Sequence, residues 1–119
     1  MCKQMDLMKR TKDFAVRVIR LYCALPKTTE AQVIGRQVLR SGTSVGANVR
    51  EGKRSRSDAE LVSKAETALQ ELDETAYWLE LLTESGIVKA ERLASLIKET
   101  DELMAILVAG VKTIKRRKH

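Results

Sequence analysis

The residues best suited to chemistry in this sequence are arginines. Arg36, Arg40, Arg50 and Arg54 recur at heptad spacing, with Ala47 between them, so one helix carries them on one face. Lys53 and Arg56 extend the line. A guanidinium presents planar donors that bind phosphate in pairs. Such a face suits an anionic polymer. The bland reading is a solvated surface, or a surface paired with Glu66, Asp73 and Glu80 further along the chain.

Bond-making chemistry finds little support. The only histidine is His119, the last residue, where it reads as tail and not as a base or ligand. No Cys–His or Ser–His pair can be assembled around it. The segment EGKRS lacks the leading glycine of a phosphate loop. The Glu-x-x-His pairs that build di-iron sites in bundles do not occur. The residues imply no cofactor and no metal, and the chain reads as a non-enzyme.

Charge is unevenly distributed. Residues 1–57 hold 13 Lys/Arg against 4 Asp/Glu, residues 58–111 hold 4 against 12, and residues 112–119 hold 5 against none, which together give the net charge of +6. Blocks of opposite sign imply an anionic partner for the basic part or pairing between helices. The two cysteines, Cys2 and Cys23, make neither a disulfide framework nor a metal motif, which fits a reduced cytoplasmic setting. The start MCKQMDLMKR is too polar for a secretory leader. The longest apolar run, Met104 to Val111, is too short to span a bilayer, so no membrane partner is expected.

The elements that must position these residues read as four helices in one domain over residues 1–119. Leu7, Phe14, Val18, Leu21 and Leu25 place the first over about Asp6–Ala24, and Pro26 ends it. The second follows Thr28 or Thr29 as N-cap and runs to about Arg54. The third opens on the capping box Ser57-Asp58-Ala59-Glu60 and stops at Gly86. Its stripe is Leu61, Ala65, Ala68, Leu72, Leu79 and Leu82. The fourth spans about Lys89–Lys115 with Leu93, Leu96, Leu103, Leu107 and Ile114, and residues 113–119 form a basic tail. No segment alternates with period two. The expected fold is all-α, an antiparallel up-down-up-down four-helix bundle.

The second helix is unusual in its glycines, each of which costs a helix interior roughly 1 kcal/mol against alanine. Gly35, Gly42 and Gly46 share a face with Leu39 and Val49. Without side chains they admit another backbone, either within the bundle or from another subunit. The adjoining stripe, Ile34, Val38, Ser41, Val45, Asn48 and Gly52, begins apolar and turns polar. Asn48 falls on the seam, where a buried amide needs partners and can fix register. Glu51 stands close enough in sequence to share that network.

These residues also resemble a family. Gln37, Arg40, Ser41, Ser44, the element Asn48-x-x-Glu51-Gly52, then Ser57, Glu71 and Leu72 match the pattern of the bacterial proteins encoded by intervening sequences in 23S ribosomal RNA genes. The match extends over nearly the whole chain. Departures are mild: Val49-Arg50 stands where alanine is common, and Gly42 and Gly46 stand where the family often has Ala or Ser. The resemblance implies a four-helix bundle that assembles as a ring-like homopentamer. More distantly, the chain is similar to the accessory variability proteins of diversity-generating retroelements. That similarity implies RNA or DNA, and a reverse transcriptase, as partners.

Two functional readings result. In the first, an oligomer contacts nucleic-acid phosphates through Arg36, Arg40, Arg50, Lys53, Arg54 and Arg56, through Lys9, Arg10 and Lys12 of the first helix, and through Lys115, Arg116, Arg117 and Lys118 of the tail. Aromatics are scarce, so base stacking contributes little. In the second, the chain is a protein-interaction scaffold whose basic and acidic helices pair between subunits.

Overall fold

The computed structural model describes residues 3–117. Cys2, Lys118 and His119 lie outside the described residues. Four helices follow one another: α1 Lys3–Ala24, α2 Thr29–Lys53, α3 Asp58–Glu84 and α4 Ala90–Arg117. Loops this short return each helix antiparallel to the one before it. The molecule measures 51 × 23 × 21 Å, the proportions of a bundle one helix long.

The boundaries follow local chemistry. The Thr28 hydroxyl accepts from the Ala31 N–H at 3.4 Å and starts α2. Glu30, in the first turn, is held below the usual carboxylate range by the backbone N–H there and by the Thr28 hydroxyl. Ser57 accepts from the Glu60 N–H at 3.1 Å. The reciprocal half of that capping box is displaced by one residue, because the Glu60 carboxylate accepts from the N–H of Arg56 and not of Ser57. Gly86 closes α3 with φ of 77°, a left-handed conformation that side chains disfavour.

Phe14, Val18, Val38, Val45, Leu72, Leu79, Leu82 and Leu103 are buried along the central seam, on the stripes expected from periodicity. Three threonines also sit there, Thr11, Thr75 and Thr100, which periodicity of apolar residues does not reveal. Each hydroxyl can donate to its own helix, to the carbonyls of Met8, Glu71 and Leu96 respectively. That local bond satisfies the hydroxyl and lets threonine fill a core position. Ser41 and Thr75 meet at 2.7 Å between α2 and α3. Each has one hydroxyl hydrogen, so one donates across while the other bonds back to its own helix.

Gly35, Gly42 and Gly46 of α2 face α1 of the same chain. A Cβ on Gly42 would stand 2.7 Å from a Val18 methyl, and one on Gly46 would stand 3.3 Å from the Thr11 carbonyl oxygen. This close approach offsets their cost in helix propensity. The α1–α4 seam is different, because of the four neighbouring pairs these two helices touch least and polar groups span the gap. Arg10 donates to both Glu99 oxygens, at 3.1 and 2.6 Å, and to Glu102 at 3.1 Å. Hydrogen bonding to Glu99 holds the Arg10 guanidinium protonated beyond its ordinary range. Arg17 donates to the Ser95 hydroxyl at 2.9 Å.

Two glycines should therefore respond oppositely to one substitution. Gly42→Ala forces a methyl against the stiff, buried Val18, and overpacking of about 1–3 kcal/mol should exceed the gain in propensity. Gly110 has open space where a Cβ would go, so Gly110→Ala should stabilise by about 1 kcal/mol. Thermal denaturation should move Tm down for the first and up for the second.

Candidate nucleic-acid interface

The arginines of α2 divide into two groups. Arg40 turns towards α3, where it pairs with Glu74 and, at 3.4 Å, with Glu71. Its Nε also donates to the Gln37 amide oxygen at 3.3 Å. Arg36, Arg50, Lys53, Arg54 and Arg56 are exposed, and among the described residues they enter none of the ion pairs. Arg36 and Arg50 are fourteen residues apart, about 21 Å along the helix. Arg50, Lys53, Arg54 and Arg56 crowd the C-terminal end of α2 and its loop to α3. A helix C-terminus itself favours cations, which is a structural reason for some of this charge.

Partners on α3 differ from those expected for the stripe. Glu66 pairs with Lys115 of α4 at 3.3 Å, not with α2. Asp73 and Glu80 are exposed and enter no ion pair among the described residues. Helix rotation explains this: Glu71 and Glu74 lie on the side of α3 that meets Arg40. The tail is partly occupied as well, since Arg117 pairs with Asp58 at 3.1 Å while Arg116 stays exposed and unpaired among the described residues. On α1, Lys9 pairs with Asp13 and Arg10 with α4, so only Lys12 of that cluster has no ion pair among the described residues.

The motif residues also separate. Ser41 is buried against Thr75, and Ser44 donates to the Arg40 carbonyl at 2.8 Å. Asn48 is half-buried and donates to the Ser44 carbonyl at 2.9 Å, within its own helix. It forms no network with Glu51, which is exposed and pairs with Lys64 at 2.8 Å. Glu51 is drawn instead to Lys64 of α3. Gly52 is buried where a Cβ would come 3.2 Å from the Lys64 Cβ and 3.3 Å from Leu61, so α3 starts tight against the end of α2. Trp78 packs on the core and donates to Glu74 at 3.1 Å. Exposed Tyr77 stacks edge-on against it at 5.0 Å.

Residues 3–109 match the family model described as 23S rRNA-intervening sequence protein. The chain belongs to this family. A crystal structure of an S23 ribosomal protein family member of unknown function from Bacteroides thetaiotaomicron VPI-5482 is similar throughout. It shares 36% identity and a TM-score of 0.88, over 93% of this chain and 99% of that one. No curated protein matches. Among the described residues, no helix is long and apolar enough to cross a membrane.

The two groups of arginines should separate by stability. Arg40→Met breaks a partly exposed pair and should cost up to about 1 kcal/mol in chemical denaturation. Arg36→Met, which removes no ion pair and lies away from the helix ends, should change stability by no more than about 0.5 kcal/mol.

Proposed function

We propose that this chain is a non-enzymatic, oligomeric nucleic-acid-binding protein that holds phosphates through the basic surface at the C-terminal end of α2. The observation that carries this reading is the set of exposed cations, Arg36, Arg50, Lys53, Arg54 and Arg56, that form no ion pair among the described residues. Cations already neutralised by carboxylates gain little from a phosphate, whereas free guanidiniums gain bidentate bonds and release counterions. Arg40, Lys115 and Arg117 are occupied and contribute less. Arg116 adds to the surface from the tail.

Recognition in this reading is of backbone and shape. Phosphate contacts position a nucleic acid without reading its bases, and Tyr77 alone of the described aromatics is exposed. Ribosomal RNA is the favoured ligand, a choice supported by the family's description as 23S rRNA-intervening sequence proteins. A homopentameric ring, as the resemblance implies, in the cytoplasm that the cysteine usage suggests, would repeat a weak patch and raise avidity. A reverse transcriptase is the protein partner the resemblance suggests.

Fluorescence anisotropy with structured ribosomal RNA and duplex DNA, across a salt series, tests this. Affinity should fall steeply with salt, with a logarithmic slope of roughly 0.7–0.9 per phosphate contacted. Reversing Arg36, Arg50 and Arg54 together to glutamate should abolish binding while leaving the mass of the assembly unchanged. Disassembly of that variant, or no binding by the unaltered protein at low salt, would instead favour a protein scaffold.

A further inference from the structure

A second feature lies at the end of the bundle where α1 begins and α4 finishes. There the helices enclose a cavity of about 710 Å³, within the usual range for small-molecule sites. Its wall is mostly apolar, with Leu7 and Met8 from α1, Val49 from α2, Leu61 from α3, and Ile106 and Ile114 from α4. Polar groups gather at the rim. Lys53 enters no ion pair among the described residues, whereas Arg117, also in the lining, is paired with Asp58. Asn48 uses one amide hydrogen on the Ser44 carbonyl, which leaves the second free to donate. The lining holds a single carboxylate, Asp6 of α1.

We propose that this cavity binds one single-chain anionic amphiphile, of the fatty-acid class, with its chain along α4 and its head at Lys53 and Asn48. Shape suits a chain: the α4 wall runs from Ala105 to Arg117, about 18 Å. Charge selects the head: Lys53 supplies a cation without a carboxylate, and the Asn48 amide supplies a directed donor. The seam beside the cavity is closed by the Arg10 ion pairs and not by interlocked side chains, which leaves the apolar interior accessible from one side. This site shares Lys53 with the phosphate-binding surface, but it is argued from the cavity and does not depend on that reading.

Isothermal titration calorimetry of the full chain with decanoate, below its micelle concentration, and with decanol tests the site. Decanoate should bind one per chain and more tightly than decanol. Gly110 lines the cavity and has open space at its Cβ position, so Gly110→Leu should fill the slot, keep or raise Tm, and weaken decanoate at least tenfold. Lys53→Glu should weaken decanoate at least threefold and leave decanol unchanged. The proposal is overturned if the unaltered protein binds no decanoate at millimolar concentration. Undiminished binding by a folded Gly110→Leu variant also overturns it, as does equal affinity for decanol with a silent Lys53→Glu. If Gly110→Leu instead lowers the mass in solution and the parent binds no decanoate, the cavity is covered by a second copy and not by an amphiphile.

Discussion

The close approach of α1 to α2 is the constraint from which the rest of the bundle is arranged. At Gly42 a single added methyl group would collide with Val18, and at Gly46 it would press tightly on the Thr11 backbone. Dispersion attraction falls off within a fraction of an ångström, so this spacing gives α1 and α2 extensive contact without large side chains. Helix α2 is also tight against α3, through Ser41–Thr75 in the middle and Gly52 at the end. With α2 drawn close to both neighbours, α1 and α4 are left farther apart. Arginine, with its long side chain and fork of donors, is suited to bridge such a gap, and Arg10 does so to Glu99 and Glu102.

Helix α2 therefore divides its surface three ways. One face is bare and packs on α1. A second carries Ser41 and Gly52 and packs on α3, and exposed Arg40 reaches across to Glu71 and Glu74. The third has neither neighbour, and it holds Arg36, Arg50 and Arg54. The proposed phosphate-binding surface is what remains once packing has claimed the other two. The same division explains why the motif residues do not form one cluster. Ser41 and Gly52 serve the α3 contact, Asn48 borders the cavity at the bundle end, and Glu51 joins the ion pair with Lys64.

Much of the fold was legible because apolar spacing and punctuation agree. Pro26, Thr28, Ser57 and Gly86 mark the helix ends for local reasons that need no tertiary context. The buried threonines were not legible, because a hydroxyl that bonds to its own helix has no signature in a hydropathy pattern. The arginine line was legible as a line only. Which cations stay free depends on carboxylates thirty or more residues away, and a rotation of α3 by one position would exchange Glu71 and Glu74 for Asp73. The cavity had no sequence signal at all, since its wall is assembled from the ends of four helices.

The amino-acid sequence alone determined four amphipathic helices, their caps, and a small-residue face on the second. These follow from interactions within one or two turns, where spacing in the chain equals spacing in space. Only the tertiary structure decided that the glycines meet α1 of the same chain, that Arg40 is paired while Arg36, Arg50 and Arg54 are exposed, and that an apolar slot opens where α1 and α4 diverge. Each of these depends on how helices rotate and approach one another. That is settled by the summed packing of all four at once, and no single segment of the chain contains it.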